Sequence, residues 1–180
     1  MARGSGTLTA VAPGRFAAAI NQAPLFRRSQ VEILRSVDYT RNLVWTLSRE
    51  RGMPPLHLLR HVFETAATFS QALESLETVE LARPVLFTLV GCESDEIAVI
   101  ERRERDATVY RGAGSVANDW RESQIGWEPR PCALEDRRMD SVTRCATIEE
   151  AVSGSPGPFS WVVPPVRNWN TRAAVRRMVG

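Results

Sequence analysis

The sequence predicts an α+β chain built in layers, and three observations predict it. Two strand-like runs open the chain, residues 7–12 and 15–21, both rich in small and β-branched residues and bounded by Gly and Pro. In the middle, Leu56, Leu58, Leu59, Val62, Phe63 and Ala66 recur at helical spacing on one face. From Pro84 onward the pattern turns to short strands punctuated by polar turns. Strands, then helices, then a strand meander, then helices is the order of a layered α+β domain rather than of alternating βαβ units.

Each element has a local reason. Pro13-Gly14 is turn chemistry, so residues 7–12 and 15–21 form a hairpin of buried strands that ends on the amides of Asn21 and Gln22. Residues 38–50 are weakly helical. Pro54-Pro55 opens a clearer helix, since proline is tolerated in a first turn. Thr68-Phe-Ser-Gln71 fits a capping box, which predicts a second helix over about 69–78 burying Phe69, Ala72, Leu73 and Leu76. Residues 85–90, 96–101 and 107–110 follow as strands, and the alternation from Glu96 to Arg102 predicts one buried and one polar face. Residues 115–118 read as a fourth short strand or its edge, and 121–133, with Gly126, Pro129 and Pro131, as a loop. A helix is expected near 134–146. Thr147-Ile-Glu-Glu150 reads as another capping box, starting a short helix that Gly154-Ser-Pro-Gly-Pro158 ends. Residues 159–163 form a short apolar element, and 171–176 a final strand.

Composition narrows the function classes. A chain of 180 residues has room for one domain, residues 1–180, and buries roughly two thirds of its unfolded surface. The net charge of +2 gives no argument for nucleic acid or an anionic membrane. All 23 basic residues are Arg, but they are scattered among Glu and Asp, as a GC-rich coding sequence would leave them, so they mark no anion site. No stretch reaches the ~20 apolar residues of a membrane span. The N-terminus lacks an apolar signal core, which makes a cytoplasmic location the default expectation. Cys92, Cys132 and Cys145 form an odd set without CxxC spacing, against both a disulfide framework and a zinc site. His57 and His61, four apart with Glu64 nearby, have metal-compatible spacing but no third ligand, so a surface role is the reading and no metal or cofactor is expected.

Seven segments taken in order resemble the C-terminal part of the acid ceramidase and N-acylethanolamine acid amidase family. They are Gly6–Gln22; Leu58-Leu-Arg-His-Val-Phe-Glu64; Phe69-Ser-Gln-Ala72 with Leu76; Pro84–Gly91; Ala98-Val-Ile-Glu-Arg102; Asn118 with Asp136-Arg137-Arg138; and Pro164–Asn168 with Thr171-Arg172. These enzymes are cysteine N-terminal-nucleophile hydrolases that cleave linear amide bonds. The resemblance implies part of a four-layer αββα sandwich with antiparallel sheets.

It also implies a chemistry. A processed N-terminal Cys attacks the amide carbonyl as thiolate, with its own α-amino group as base. The oxyanion formed needs fixed donors, and a neutral Asn amide suits that role, one such donor being worth ~3–4 kcal/mol. By resemblance Asn118 is this donor, and Arg137 holds charge in the site, with Arg138 as the neighbouring choice. Asn21 and Gln22 join the substrate-binding set, Gln22 standing where acid ceramidases carry Glu. Trp120, in the loop beside Asn118, is the best acyl-pocket candidate of the five Trp residues, followed by Trp127. Taken alone, each has a plainer role: Asn118 as a strand-end turn residue, the Arg pair as solvated partners of nearby carboxylates, and the tryptophans as core.

The segment that should carry the nucleophile is expected upstream of Gly6. Arg41-Asn-Leu-Val-Trp45 superficially matches its continuation but follows the hairpin and lacks the Asp, so it reads as helix. Cys92 after Gly91 falls on a strand-end loop, and Cys132 and Cys145 lie beyond Asn118, so none replaces the nucleophile. Ser5 would serve only after loss of the residues before it. The leading expectation is the C-terminal portion of an amidase acting on small N-acyl amides, inactive without a Cys-bearing segment or subunit. The alternatives are a non-catalytic acyl-binding pseudo-enzyme domain and a truncated remnant.

Overall fold

The structure, a computed structural model, describes residues 8–28, 34–48, 52–112, 114–122, 124–128, 137–153, 162–164 and 166, with the backbone alone at helix positions 35, 39, 43, 45–48, 137–140, 152 and 153. The first two strands, β1 (Thr9–Ala12) and β2 (Phe16–Gln22), form the expected hairpin. Arg15 N–H donates to Ala12 O at 3.0 Å, and Gly14 sits at φ +71°. Pro13 and Gly14 thus occupy the two central positions that a type II turn reserves for them. After the two-residue β3 (Leu25–Phe26) come α1 (Arg35–Ser48), α2 (Pro55–Thr65) and α3 (Phe69–Thr78).

The α2–α3 pair follows its sequence signals closely. Pro55 stands in the first turn of α2, and the Thr68 hydroxyl accepts the Gln71 N–H at 3.2 Å. The Gln71 side chain reaches back to the Ala67 N–H at 2.8 Å, one residue earlier than a standard capping box. Leu58, Leu59 and Val62 of α2 and Phe69, Ala72, Leu73 and Leu76 of α3 are buried against the sheet. Each large aliphatic side chain so buried contributes about 1.5–3 kcal/mol.

That sheet is antiparallel, in the order β1-β2-β4-β5-β6, with β4 (Val85–Val90), β5 (Ile97–Arg102) and β6 (Ala107–Arg111) forming the meander. Register assigns its two faces. Phe16, Ala18, Phe87, Leu89, Ala98 and Ile100 meet the helices. The opposite face carries one row, Asn21–Leu86–Glu101–Thr108, and beside it Ala19–Thr88–Val99–Tyr110. Two arginines tie the helical layer down: Arg15 donates to Phe63 O and Ala66 O at the end of α2, and Arg102, fully buried, to Leu76 O and Val79 O at the end of α3. Cations at helix C-termini complement the exposed carbonyls there. Two late elements complete the described chain, β7 (Trp127–Glu128), paired antiparallel with β3, and α4 (Arg137–Ser153).

The α+β sandwich with antiparallel sheets is as predicted, with four local corrections. Residues 115–118 are not a strand: the Asn21 side chain, not a neighbouring ladder, holds the carbonyls of Val116 and Ala117. Thr147 caps nothing, because its hydroxyl donates to Thr143 O at 2.8 Å, so α4 runs through unbroken. The polar face predicted for β5 is covered, leaving Glu101 only 5% exposed. The β3–β7 pair was unforeseen, as two-residue strands give too little pattern to read. The expected Gly154–Pro158 stop, most of the 159–163 element and the 171–176 strand lie outside the described residues.

Candidate active site

The second face of the sheet is roofed by the segment 115–121, and the sequence of that segment explains how it is fastened. Trp120 buries its ring with Leu86 and Ala23, flanked by Val116 and Trp127. Its ring meets that of Trp127 edge-on at 5.3 Å, and Phe26 closes the stack on Trp127 at 5.5 Å. Such aromatic pairs add about 0.5–1.5 kcal/mol beyond the area they bury. Asn21 Nδ2 donates to Val116 O at 3.2 Å and to Ala117 O at 3.4 Å. Arg121 N–H donates to Glu101 Oε1 at 2.6 Å, and the Arg121 guanidinium lies 4.7 Å from the centre of the Tyr110 ring.

Asn118 stands between these anchors. Its Nδ2 donates to Gln22 O at 3.0 Å, while its Oδ1 accepts from both terminal nitrogens of Arg144 at 3.3 Å. A guanidinium only donates and a carbonyl only accepts, so the two neighbours fix the amide in one orientation. Arg144 also donates to the buried Ser141 hydroxyl at 3.4 Å, one turn earlier on α4. Four of the five residues singled out from sequence, Asn21, Gln22, Asn118 and Trp120, are therefore brought together at one end of the sheet. Arg137 and Arg138 open α4, and their side chains lie outside the described residues. The guanidinium on Asn118 is that of Arg144. Sequence reasoning missed it, although Arg137, Ser141 and Arg144 stand at i, i+4 and i+7, the spacing of one helical stripe.

A cavity of about 280 Å³ opens between this segment and α4. Val116, Ala117, Trp120, Val142, Cys145 and Ala146 give it an apolar wall, and Ser115 binds Glu149 at 2.7 Å at its polar side. The volume is near the lower end of the range for small-ligand sites, roughly 300–1,000 Å³. Trp120 Nε1 is buried without an acceptor among the described residues, in a side chain that lines this cavity.

Glu101 and Cys145 are the groups near the site that carry chemistry beyond the predicted set. Burial pushes the Glu101 carboxyl above the usual carboxylate range, against the opposing pull of the Arg121 N–H and guanidinium. Tyr110 is likewise raised, by burial and by the charge of Glu101. Cys92 is remote: it follows β4, six residues beyond Leu86, or roughly 20 Å at about 3.3 Å per residue. His57 and His61 are exposed on α2, and among the described residues no cluster of His, Cys, Asp and Glu has a metal-binding arrangement. No helix among the described residues is long and apolar enough to cross a membrane.

No family model matches the chain. A curated acid ceramidase from Heterocephalus glaber is 26% identical over 140 residues, covering 77% of this chain and 33% of the relative's own length. The chain thus spans about a third of the curated relative it matches. Among solved structures, a Caenorhabditis elegans N-acylethanolamine-hydrolyzing acid amidase ortholog superposes with a TM-score of 0.57 at 22% identity, over 93% of this chain and 67% of that one. The fold shared with that structure is the one built above from the hairpin, the helix pair and the meander. The chain is thus similar in sequence to part of an acid ceramidase and shares its fold with an N-acylethanolamine acid amidase ortholog.

Proposed function

We propose that this chain is the substrate-holding portion of a hydrolase that cleaves the linear amide bond of small N-acyl amides. The observation that carries the reading is the fixed amide of Asn118, clamped between Arg144 and Gln22 O beside an apolar-walled cavity. The names of the two relatives, an acid ceramidase and an acid amidase, supply the reaction class.

In this reading the nucleophile is an N-terminal Cys carried by a segment or subunit other than these 180 residues. Its thiolate adds to the amide carbonyl carbon, and the C=O electron pair moves onto oxygen. Asn118 donates from Nδ2 to that oxyanion, and Arg144 holds the amide so that nitrogen, not oxygen, faces it. Collapse restores the carbonyl and breaks the C–N bond. The amine leaves with the proton that the Cys α-amino group had taken, and water then hydrolyses the thioester to the free acid and the thiol. The acyl chain occupies the cavity walled by Trp120, Val116 and Ala146. Arg144 takes the place assigned from sequence to Arg137, which belongs to the same stripe of α4.

The test is to incubate the protein, purified together with any Cys-bearing segment that accompanies it, with N-acylethanolamines, ceramides and N-acyl amino acids and to measure released fatty acid. Release from at least one class is expected. Binding of these amides without release would instead make the chain a pseudo-enzyme.

A further inference from the structure

The roofing segment is attached to the sheet by the buried Trp120, the Asn21 amide, the Asn118 bond to Gln22 O and Arg121 over the Tyr110 ring. One further attachment is a carboxylate in the middle of a central strand. Glu101 stands in the same row as Asn21, two strands away, flanked by Leu86 on β4 and Thr108 on β6. It is 5% exposed, and no described cation forms an ion pair with it within 4 Å. What it accepts is the backbone N–H of Arg121, at 2.6 Å. A carboxylate at that depth costs more than any neutral residue of similar size. A strand position that needed only filling would be met by Thr, Val or Leu.

We propose that Glu101 is a positioning residue of the Asn118 site: its carboxylate anchors the far end of the Asn118–Arg121 turn and so holds the Asn118 amide in register with Gln22 O and Arg144. This rests on the amidase reading for its purpose, but the anchoring itself is a property of the fold. At the outgoing end of the turn, Asp119 Oδ1 accepts the Trp120 N–H at 2.9 Å and the Arg121 guanidinium lies over the Tyr110 ring of β6, while the Arg121 backbone N–H goes to Glu101. With Glu101 holding the Arg121 amide and Asn21 holding the Val116 and Ala117 carbonyls, Asn118 is pinned from both sides. The titratable and charged groups around Glu101 are Arg121, Asp119 and Glu122 of the same segment and Tyr110 of β6. Burial and the two acidic neighbours oppose its ionisation and Arg121 favours it, so the anchor is strongest when the proton has left and weaker below.

Amide NMR of the full chain tests this without any turnover assay. The Arg121 N–H resonance is expected to titrate with a midpoint above the ordinary Glu value. That titration should vanish in Glu101→Gln, which keeps an acceptor at the site. In Glu101→Thr, too short to reach, Arg121 amide exchange should rise about 10-fold or more, as loss of a hydrogen bond to a charged group implies, while Leu86 and Phe87 exchange stays unchanged. An Arg121 resonance that ignores pH, or that titrates equally in Glu101→Gln, overturns the proposal, as does unchanged Arg121 exchange in Glu101→Thr. Hydrolysis by the complete protein is scored separately. An absence of release from every N-acyl amide sinks the amidase reading and leaves the NMR result to judge the anchor.

Discussion

Asn118 owes its orientation to neighbours distant in sequence: Gln22 on the hairpin and Arg144 on α4. Arg144→Met removes the donor fork while keeping an unbranched side chain, so the amide is free to turn over. The expected result is a fall in kcat of about 10- to 100-fold with KM nearly unchanged, the size of a lost hydrogen bond to a charged group. Steady-state kinetics on the complete enzyme checks it. Glu101 makes a pH prediction. Its folded pKa is raised, so the folded chain holds that proton to higher pH than the unfolded chain does. Its net contribution to stability is therefore full at low pH and is lost as pH rises from about 4.5, the reference value, through the folded pKa. The cost of burying the charge outweighs the stronger bond that the ionised carboxylate makes to the Arg121 N–H. Glu101→Gln should melt with the wild type at pH 4 and increasingly above it toward pH 7. Thermal melts across that range decide the sign. Of these residues, Asn21 and Asn118 were singled out through family resemblance, and Trp120 through its place in the loop beside Asn118. Glu101 was not, because alternation assigns a strand Glu to solvent and says nothing of a segment 20 residues later that covers it. Arg144 was hidden by Arg137 and Arg138, nearer to Asn118 in sequence.

Among the elements, local chemistry decided what could be read. Pro13-Gly14, Pro54-Pro55 and Thr68–Gln71 each satisfy a backbone requirement within four residues, and the hairpin, α2 and α3 formed where they predicted. Thr147–Glu150 carries the same capping pattern as Thr68–Gln71, yet its Thr bonds back into the helix. The pattern permits a cap without guaranteeing one, since a Thr inside a continuing helix has a carbonyl four residues earlier to bond. The connection into α2 offers a stability test. Gly52 has φ +109°, and a Cβ there would lie 2.6–2.8 Å from backbone atoms of Leu81 and Ala82. Met53 bonds Glu80 O and Ala82 in the same place, so neither chain can yield cheaply. Gly52→Ala is expected to destabilise by at least about 2 kcal/mol in denaturant titration, combining positive-φ strain with a backbone clash.

For the molecule as a whole, the sheet acts as a partition. Its helical face is a packed apolar layer fastened by Arg15 and Arg102, and its other face holds the polar row, the roofing segment and the cavity. The layered α+β class was legible because strand and helix periods succeed one another cleanly along the chain. The roof was not, because loop residues 115–121 have no period, and only the assembled sheet shows what they cover. Cys145 gives a reporter of that cavity. A bound acyl chain should slow its alkylation by a small maleimide several-fold, read site by site by mass spectrometry, while Cys92 alkylation stays unchanged. The most direct measurement is the kcat of the complete enzyme on its best N-acyl amide, for wild type and Asn118→Ala. A loss of about 10²–10³-fold at similar KM is predicted for an oxyanion donor, and equal turnover by the two proteins would contradict the account.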